Sequence, residues 1–528
     1  MSLRLPDSGS GRYIWLASVV VIATLLITLD RVPVSRGDGP FYASIARSFH
    51  YGTGGIPSTL DPRAPTAIDH VRFYGPVYFR ALDLVFSTFG LSITTFRAVG
   101  MLGALLVALG GVLICKALGG GPERRAWTWL LVLLTPEVGR ASSNGRMDAL
   151  AVGLELCGLA IFLDGLVRQR RPWLHGAAAG ILLAGAGLTT PRTFPFLAGF
   201  LLASVVVLPR GLGTSKMIRL QAFVTIGTGA AIGLVWMVVS SGGPMNWLHL
   251  MTAVGTQENS DVALLPNGAR HLMFVWWECV TPAFAIVGAL VAAYLLRYRE
   301  PSAYTLASAF ALLTTWTTLV LTTTLFNLTF FFGTYFVLPL VTVVIAVPTP
   351  LSDIRRRGAA FTAVALFLVL TGVRAGKIVI AATTWEARDI TRVDRFVADH
   401  VPPGSRVLGP THDFFFPVEE AGSRYFAVPQ VSASDWARWV AQPAPLPGSR
   451  LTGDYLLWRE GDLPPPSDVA CARGRLIATY EPPPPTVPML AFLAEGDPYS
   501  SYPRTFLYAL DRVCDASSVI MGGSFPIS

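Results

Sequence analysis

YIWLASVVVIATLLITLDRVPVSRGDGPFYASIARSFHYG, residues 13–52, decides the class of the fold. Its first part, Tyr13 to Leu29, is an uncharged apolar run close to the length of a spanning helix, which takes about 20 residues. The polarity then reverses at Asp30. From there to Phe79 the chain carries Asp30, Asp38, Asp61, Asp69, His50, His70 and several arginines, although nearly everything before Trp385 is apolar. Ionisable groups gathered beside apolar helices mark the place to look for chemistry.

The bias of that stretch is the bias of the chain. Of 528 residues, 52% are hydrophobic and 14% charged. A soluble domain carries about 25% charged residues, so the sequence predicts a polytopic membrane protein. No small-residue cleavage site follows the first run, so it is expected as a retained helix and not a removable signal peptide. Runs of spanning length lie near 13–30, 93–116, 126–142, 147–167, 174–190, 194–209, 219–240, 272–296, 303–323, 331–348 and 359–380, about eleven in all.

Basic clusters test that count. Arg4 and Arg12 precede the first run. Lys116, Arg124 and Arg125 follow the second, and Arg168, Arg170 and Arg171 the fourth. Arg210, Lys216 and Arg219 follow the sixth, Arg297 and Arg299 the eighth, and Arg355 to Arg357 the tenth. All fall on one side when the N-terminus is cytoplasmic. The net charge of +8 is thereby a matter of orientation and implies no nucleic-acid partner. The expected location is the plasma (inner) membrane, with loops 30–92 and 241–271 and the C-terminal tail outside the cytoplasm.

Residues 76–90, PVYFRALDLVFSTFG, are short and broken by Arg80 and Asp83. Counting them as a span inverts every later cluster, so an amphipathic helix in the outer interface is expected there. After Thr383 the composition turns charged and proline-rich. TRVDRFVADHVPPGSRVLG predicts a helix, a Pro-Gly turn and a strand, and short β-rich pieces recur at Arg406–Leu408 and Tyr455–Trp458. The expected architecture is an all-α membrane domain over 1–384, with a small extracytoplasmic α/β domain over 385–528. The five cysteines show no metal spacing. Cys115, Cys157 and Cys279 lie in or beside apolar runs, and Cys471 and Cys514 are placed to pair if the tail is outside the cytoplasm.

Four groups of residues are chemical candidates. Asp38, between Gly37 and Gly39-Pro40, suits a general base or metal ligand, or a turn or N-cap aspartate before a helix over Phe41–Phe49. Arg146 and Asp148 open the fourth run, where Asp148 either caps the helix or faces a cavity. Arg192, in the hairpin TTPRTFPF, suits bidentate phosphate binding or a guanidinium reaching to lipid headgroups, and Arg97 sits similarly. His249, Gln257, Glu258, Asn259, Asp261, His271 and Glu278 lie in or near the 241–271 loop without a diagnostic metal spacing.

These pieces fall in a known order. The chain resembles the GT-C membrane glycosyltransferases, in particular the group of protein O-mannosyltransferases and lipid A aminoarabinose transferases. The resemblance is carried by Asp38 with Tyr42 after the first helix, by Gly75-Pro76-Val77-Tyr78-Phe79 heading the interfacial helix, and by Arg146-Met147-Asp148-Ala149-Leu150 opening the fourth run. Arg192 in the next hairpin and Thr334-Tyr335-Phe336-Val337-Leu338-Pro339 complete it. Two departures stand out: Gly39 where the family often has a second acid, and Tyr74-Gly75 where a lysine often precedes the double proline, with Arg72 nearby.

The resemblance implies inverting transfer of a sugar from a polyprenyl-phosphate donor to a glycan, lipid or protein hydroxyl at the outer face. Asp38 would be the base and Asp148 would orient the acceptor. Arg192, with Arg72 or Arg97, would hold the donor phosphate. Tyr42, Tyr74, Tyr78, Arg146, His249 and Tyr335 would line the substrate site. A divalent cation at Asp38 or Asp148 is the one cofactor it leaves open. The competing classes are a flippase of lipid-linked sugars, which the lack of internal repeats disfavours, and a non-catalytic envelope scaffold.

Overall fold

Apolar runs become helices because, in lipid, only a helix satisfies its own backbone polar groups within one segment. The computed structural model describes residues 9–31, 38–60, 69–135, 138–139, 143–211, 216–258, 303–324, 371–372, 375–376, 378–409, 412–427, 454–460, 474–486 and 501–510. It is mostly helical with one small sheet. Two compact units emerge. The first holds 1–28, 72–78 and 97–376; the second holds 29–71, 79–96 and 377–528. The tail thus shares a unit with the loop that follows the first helix.

The helices are α1 (Gly9–Ile27), α2 (Asp38–His50), α3 (His70–Tyr74), α4 (Pro76–Phe89), α5 (Ile93–Ala117), α6 (Pro122–Leu134), α7 (Met147–Arg168), α8 (Pro172–Gly187), α9 (Phe194–Val207), α10 (Lys216–Ser241), α11 (Pro244–Glu258) and α12 (Ala303–Thr324). In the tail come α13 (Ile390–His400) and α14 (Phe415–Glu420). Among the described residues, α5, α7 and α10 are long and apolar enough to cross a membrane, and Tyr13–Ile27 and Pro191–Val207 are shorter apolar helices.

Three expectations change. The run 126–142 gives a helix that stops at Leu134, because Pro136 has no N–H to continue the ladder. The segment expected as loop 241–271 is helical over α11, opened by Pro244 in its first turn. The helix expected over Phe41–Phe49 starts at Asp38, which the fixed φ of Pro40 favours in a first turn. The runs 272–296 and 331–348, most of 359–380, and Asp61, Tyr335, Cys279, Cys471 and Cys514 lie outside the described residues.

Within the first unit, α7 packs antiparallel on α8 and α9 packs on α12. A Cβ on Gly103 of α5 would stand 2.5 Å from Leu150 N on α7, so this crossing needs a residue without one. Phe162, Phe200 and Phe310, from α7, α9 and α12, meet with centroids 4.9–5.1 Å apart and form the centre of the bundle.

Within the second unit, β1 (Arg406–Gly409) pairs parallel to β2 (Arg424–Ala427) and to β3 (Tyr455–Arg459). Strands β4 (Gly474–Tyr480) and β5 (Thr505–Leu510) complete the order β2-β1-β3-β5-β4, antiparallel from β3 onward. Helix α14 is the crossover between β1 and β2, as a parallel pair requires. The expected helix–turn–strand segment is observed as α13, Gly404 at φ +83 and β1.

The loop after α1 is fastened to this sheet. Thr59 C=O accepts from Ala427 N–H at 2.9 Å at the end of β2. Tyr51 Oη donates to Glu419 Oε2 at 2.5 Å, and Arg47 Nε lies 3.6 Å from the same oxygen. Tyr425 N–H donates to Glu419 Oε1 at 3.2 Å. Burial raises the Glu419 carboxyl, and these donors and Arg424 pull it back. Burial beside that carboxylate raises Tyr51 to about 12. Arg31 adds an ion pair to Asp389 at 3.3 Å and covers the Trp385 ring at 4.8 Å.

Candidate functional site

The first unit gathers Arg146, Asp148, Arg192, Tyr74 and Tyr78. Arg146 occupies the N-cap of α7 with extended backbone (φ −83, ψ 150), and Asp148 lies in the first turn. A carboxylate is stabilised there by the helix dipole. Arg146 Nε donates to Asp148 Oδ2 at 2.9 Å, and Arg192 Nη1 lies 3.7 Å from Asp148 Oδ1. All three side chains are largely buried.

Local chemistry holds Arg192 in place. It belongs to a short 3-10 turn, Pro191–Thr193, capped by Thr190, whose Oγ1 accepts from Arg192 N–H at 3.4 Å. The Arg192 guanidinium stands 5.5 Å from the centre of the Tyr74 ring. Tyr74 is buried and Tyr78 donates from its hydroxyl to the Gly145 carbonyl, just before the N-cap of α7. Val77 N–H donates to Leu188 C=O at 3.1 Å. The Gly75-Pro76-Val77-Tyr78 stretch therefore ties the hairpin carrying Arg192 to the start of α7.

Gly75 makes that close approach possible. Its φ is +101, and a Cβ would lie 2.1 Å from Leu188 O. Gly75→Ala is expected to cost about 1–3 kcal/mol in backbone strain alone, with a further penalty from the clash. The measurement is the thermal midpoint of the purified protein, which should fall by several degrees. An unchanged midpoint would mean that Leu188 moves away freely.

The other expected residues have these settings. Arg97 is 2% exposed on α5. Arg72 is exposed, and its carbonyl accepts from Trp247 Nε1 at 3.1 Å. His249 is exposed on α11. Tyr42 is buried, with its ring 6.5 Å from Phe79.

The second unit gathers Asp38, Phe41, His70, Thr59 and His412. Asp38 is exposed in the first turn of α2. Phe41, three residues on, shares its helix face. The Phe41 ring meets His70 edge-on at 4.9 Å and His412 at 5.0 Å. His412 Nδ1 is 2.9 Å from Thr59 Oγ1. Part of the residue's surface stays open, yet burial of the imidazole lowers its pKa to about 4; Asp38 pulls the pKa up, and His70 pushes it down.

Sequence reasoning did not single out His412. The signal available was THDFFFP, a polar pair ahead of three aromatics in an otherwise charged tail.

Among the described residues, no three His, Cys, Asp or Glu side chains come together as a metal site. At Asp148 the donor set does not fit a divalent cation, because both carboxylate oxygens face guanidinium groups.

No protein-family model and no curated protein matches the sequence. Solved structures do match. ArnT from Cupriavidus metallidurans bound to undecaprenyl phosphate overlays with a TM-score of 0.55 at 14% identity, over 95% of this chain and 98% of its own. The apo state of the same enzyme gives 0.52 at 15% identity over the same shares. The chain has the fold of ArnT, a GT-C glycosyltransferase, which is the fold that the order of its motifs implied.

Proposed function

We propose that the protein transfers a sugar from a polyprenyl-phosphate donor to an acceptor hydroxyl at the outer face of the plasma membrane, inverting the anomeric carbon. The observation that carries this reading is the Arg146–Asp148–Arg192 cluster. Two guanidiniums share one carboxylate, so the three side chains carry a formal charge of +1 at the positive end of a long apolar helix. That arrangement attracts an anion next to apolar surface. ArnT, with the same fold, is bound to undecaprenyl phosphate, an anion on an oily chain.

The roles are assigned residue by residue. Arg192 takes the donor phosphate by charge-assisted hydrogen bonds and stabilises the charge that develops as it leaves. Asp148 and the Tyr74 ring hold Arg192 in position. Asp38 is the base that removes the acceptor proton as that oxygen attacks the anomeric carbon. The phosphate departs with the electron pair of the broken bond.

Purified protein supplied with radiolabelled polyprenyl-phosphate sugars tests the reading. Wild-type protein should produce a glycosylated acceptor. Arg192→Ala should lose about ten- to hundredfold in kcat/KM for the donor, the value of a hydrogen bond to a charged group. A silent wild type, or an Arg192→Ala variant with normal donor kinetics, would sink it.

A further inference from the structure

The hydroxyls beside His412 decide which of its nitrogens holds the hydrogen. Ser44 Oγ donates to Phe41 C=O at 2.7 Å, which uses its single hydrogen. Its contact with Thr59 Oγ1 at 3.2 Å then requires Thr59 as the donor. Thr59 has only lone pairs left for His412 Nδ1 at 2.9 Å. Nδ1 therefore carries the hydrogen and Nε2 carries the lone pair. Nε2 makes no hydrogen bond to any described residue.

The charges around the ring keep it that way. Burial disfavours the imidazolium, His70 disfavours it further, and Asp38 opposes them without prevailing. The neighbouring Asp413 is engaged by Arg459. At neutral pH His412 is therefore a neutral ring offering a hydrogen-bond acceptor. Asp38 offers a second acceptor, and Phe41 offers a partly exposed aromatic ring in contact with His70 and His412.

A ligand complementary to this group needs two donors close together and an apolar face. A serine or threonine side chain has one hydroxyl. A sugar ring has several at adjacent carbons and a C–H face that packs on an aromatic ring. Resting on the reading of Asp38 as the base, we propose that His412 binds the acceptor and that the acceptor is a carbohydrate. One sugar hydroxyl loses its proton to Asp38 as its oxygen bonds to the anomeric carbon of the donor. A neighbouring hydroxyl donates to His412 Nε2, which takes no proton. The part of the chain beyond residue 385 thus contributes directly to acceptor recognition.

The test uses full-length protein, a polyprenyl-phosphate sugar donor, a panel of methyl glycosides and a Ser/Thr peptide. His412→Asn places an amide N–H where Nδ1 was, keeping the Thr59 contact, and leaves nothing at Nε2. His412→Gln places a polar atom at Nε2. His412→Asn should raise the KM for the glycoside about three- to tenfold, the worth of one hydrogen bond. Its kcat and donor KM should stay near wild type, and His412→Gln should recover much of the loss.

An unchanged glycoside KM in His412→Asn overturns the proposal. So does transfer to the peptide with none to any glycoside, and so does the absence of glycoside binding to wild-type protein by ligand-observed NMR. If His412→Asn fails to fold, the glycoside KM of His412→Gln against His412→Ala decides, and equal values overturn it. The reading of Asp38 fails separately, if Asp38→Asn keeps its turnover while the His412 variants still shift the acceptor KM.

Discussion

Asp38→Asn is expected to lower sugar transfer by about 10²–10⁴-fold, the usual contribution of a positioned general base, and to leave the fold intact. Asp38 is exposed in the first turn of α2. Losing its charge there removes a helix-dipole contribution of about 0.3–1 kcal/mol, and asparagine is well tolerated at helix starts. Stability and activity should therefore separate. The rival reading, an aspartate that merely serves the helix start, predicts near-normal turnover in the same assay. Thermal midpoints of the two proteins, compared with single-turnover rates at saturating donor, distinguish these readings.

Glu419→Ala is expected to destabilise the second unit by about 3–5 kcal/mol, the cost of removing one partner from a buried charged cluster. The Glu419 side chain is 1% exposed and serves the Tyr51 hydroxyl, the Tyr425 amide and the Arg47 guanidinium. Alanine removes this acceptor from the Tyr51 hydroxyl and the Tyr425 amide and this counter-charge from Arg47. Glutamine keeps one acceptor oxygen and puts an NH2 donor in place of the other, so it loses the charge and one of the two hydrogen bonds, and Glu419→Gln should fall between wild type and alanine. Because a chain with two units need not unfold in one step, hydrogen exchange is the suitable probe. Amides of β2 and of residues 51–60 should lose protection together in Glu419→Ala. Unchanged protection in residues 51–60 would mean that Glu419 does not hold the loop.

Much of the helical part was legible because bilayer-length apolarity is a local property. The runs at 93–116, 147–167 and 219–240 became α5, α7 and α10 with small shifts at their ends. Pro136 was equally local, and its presence inside 126–142 was the visible reason to shorten that helix. The pairing of Arg192 with Asp148 was not legible, because it depends on how the hairpin after α8 packs against the start of α7. Spacing along a chain does not report such packing. The same limit hid the second unit. Tyr51 and Glu419 are 368 positions apart, and no pattern in residues 30–60 announces an attachment to the tail. His412 escaped for the same reason, since its setting is made by Thr59, Ser44 and Phe41 from the other end of the chain.

That attachment also has a consequence in time. Residues 44–59 leave the ribosome early, while Glu419, Ala427 and His412 are made more than 350 positions later. At roughly 5–20 residues per second, the early segment waits on the order of 20–70 s for its partners. During that interval the Tyr51 hydroxyl and the Thr59 carbonyl lack the Glu419 and Ala427 partners that they have in the finished unit. Maturation of the second unit is thereby tied to the last part of synthesis. A chain halted before residue 427 would present α2 and its loop as an unfinished surface to proteases, even with most of its long apolar helices already made.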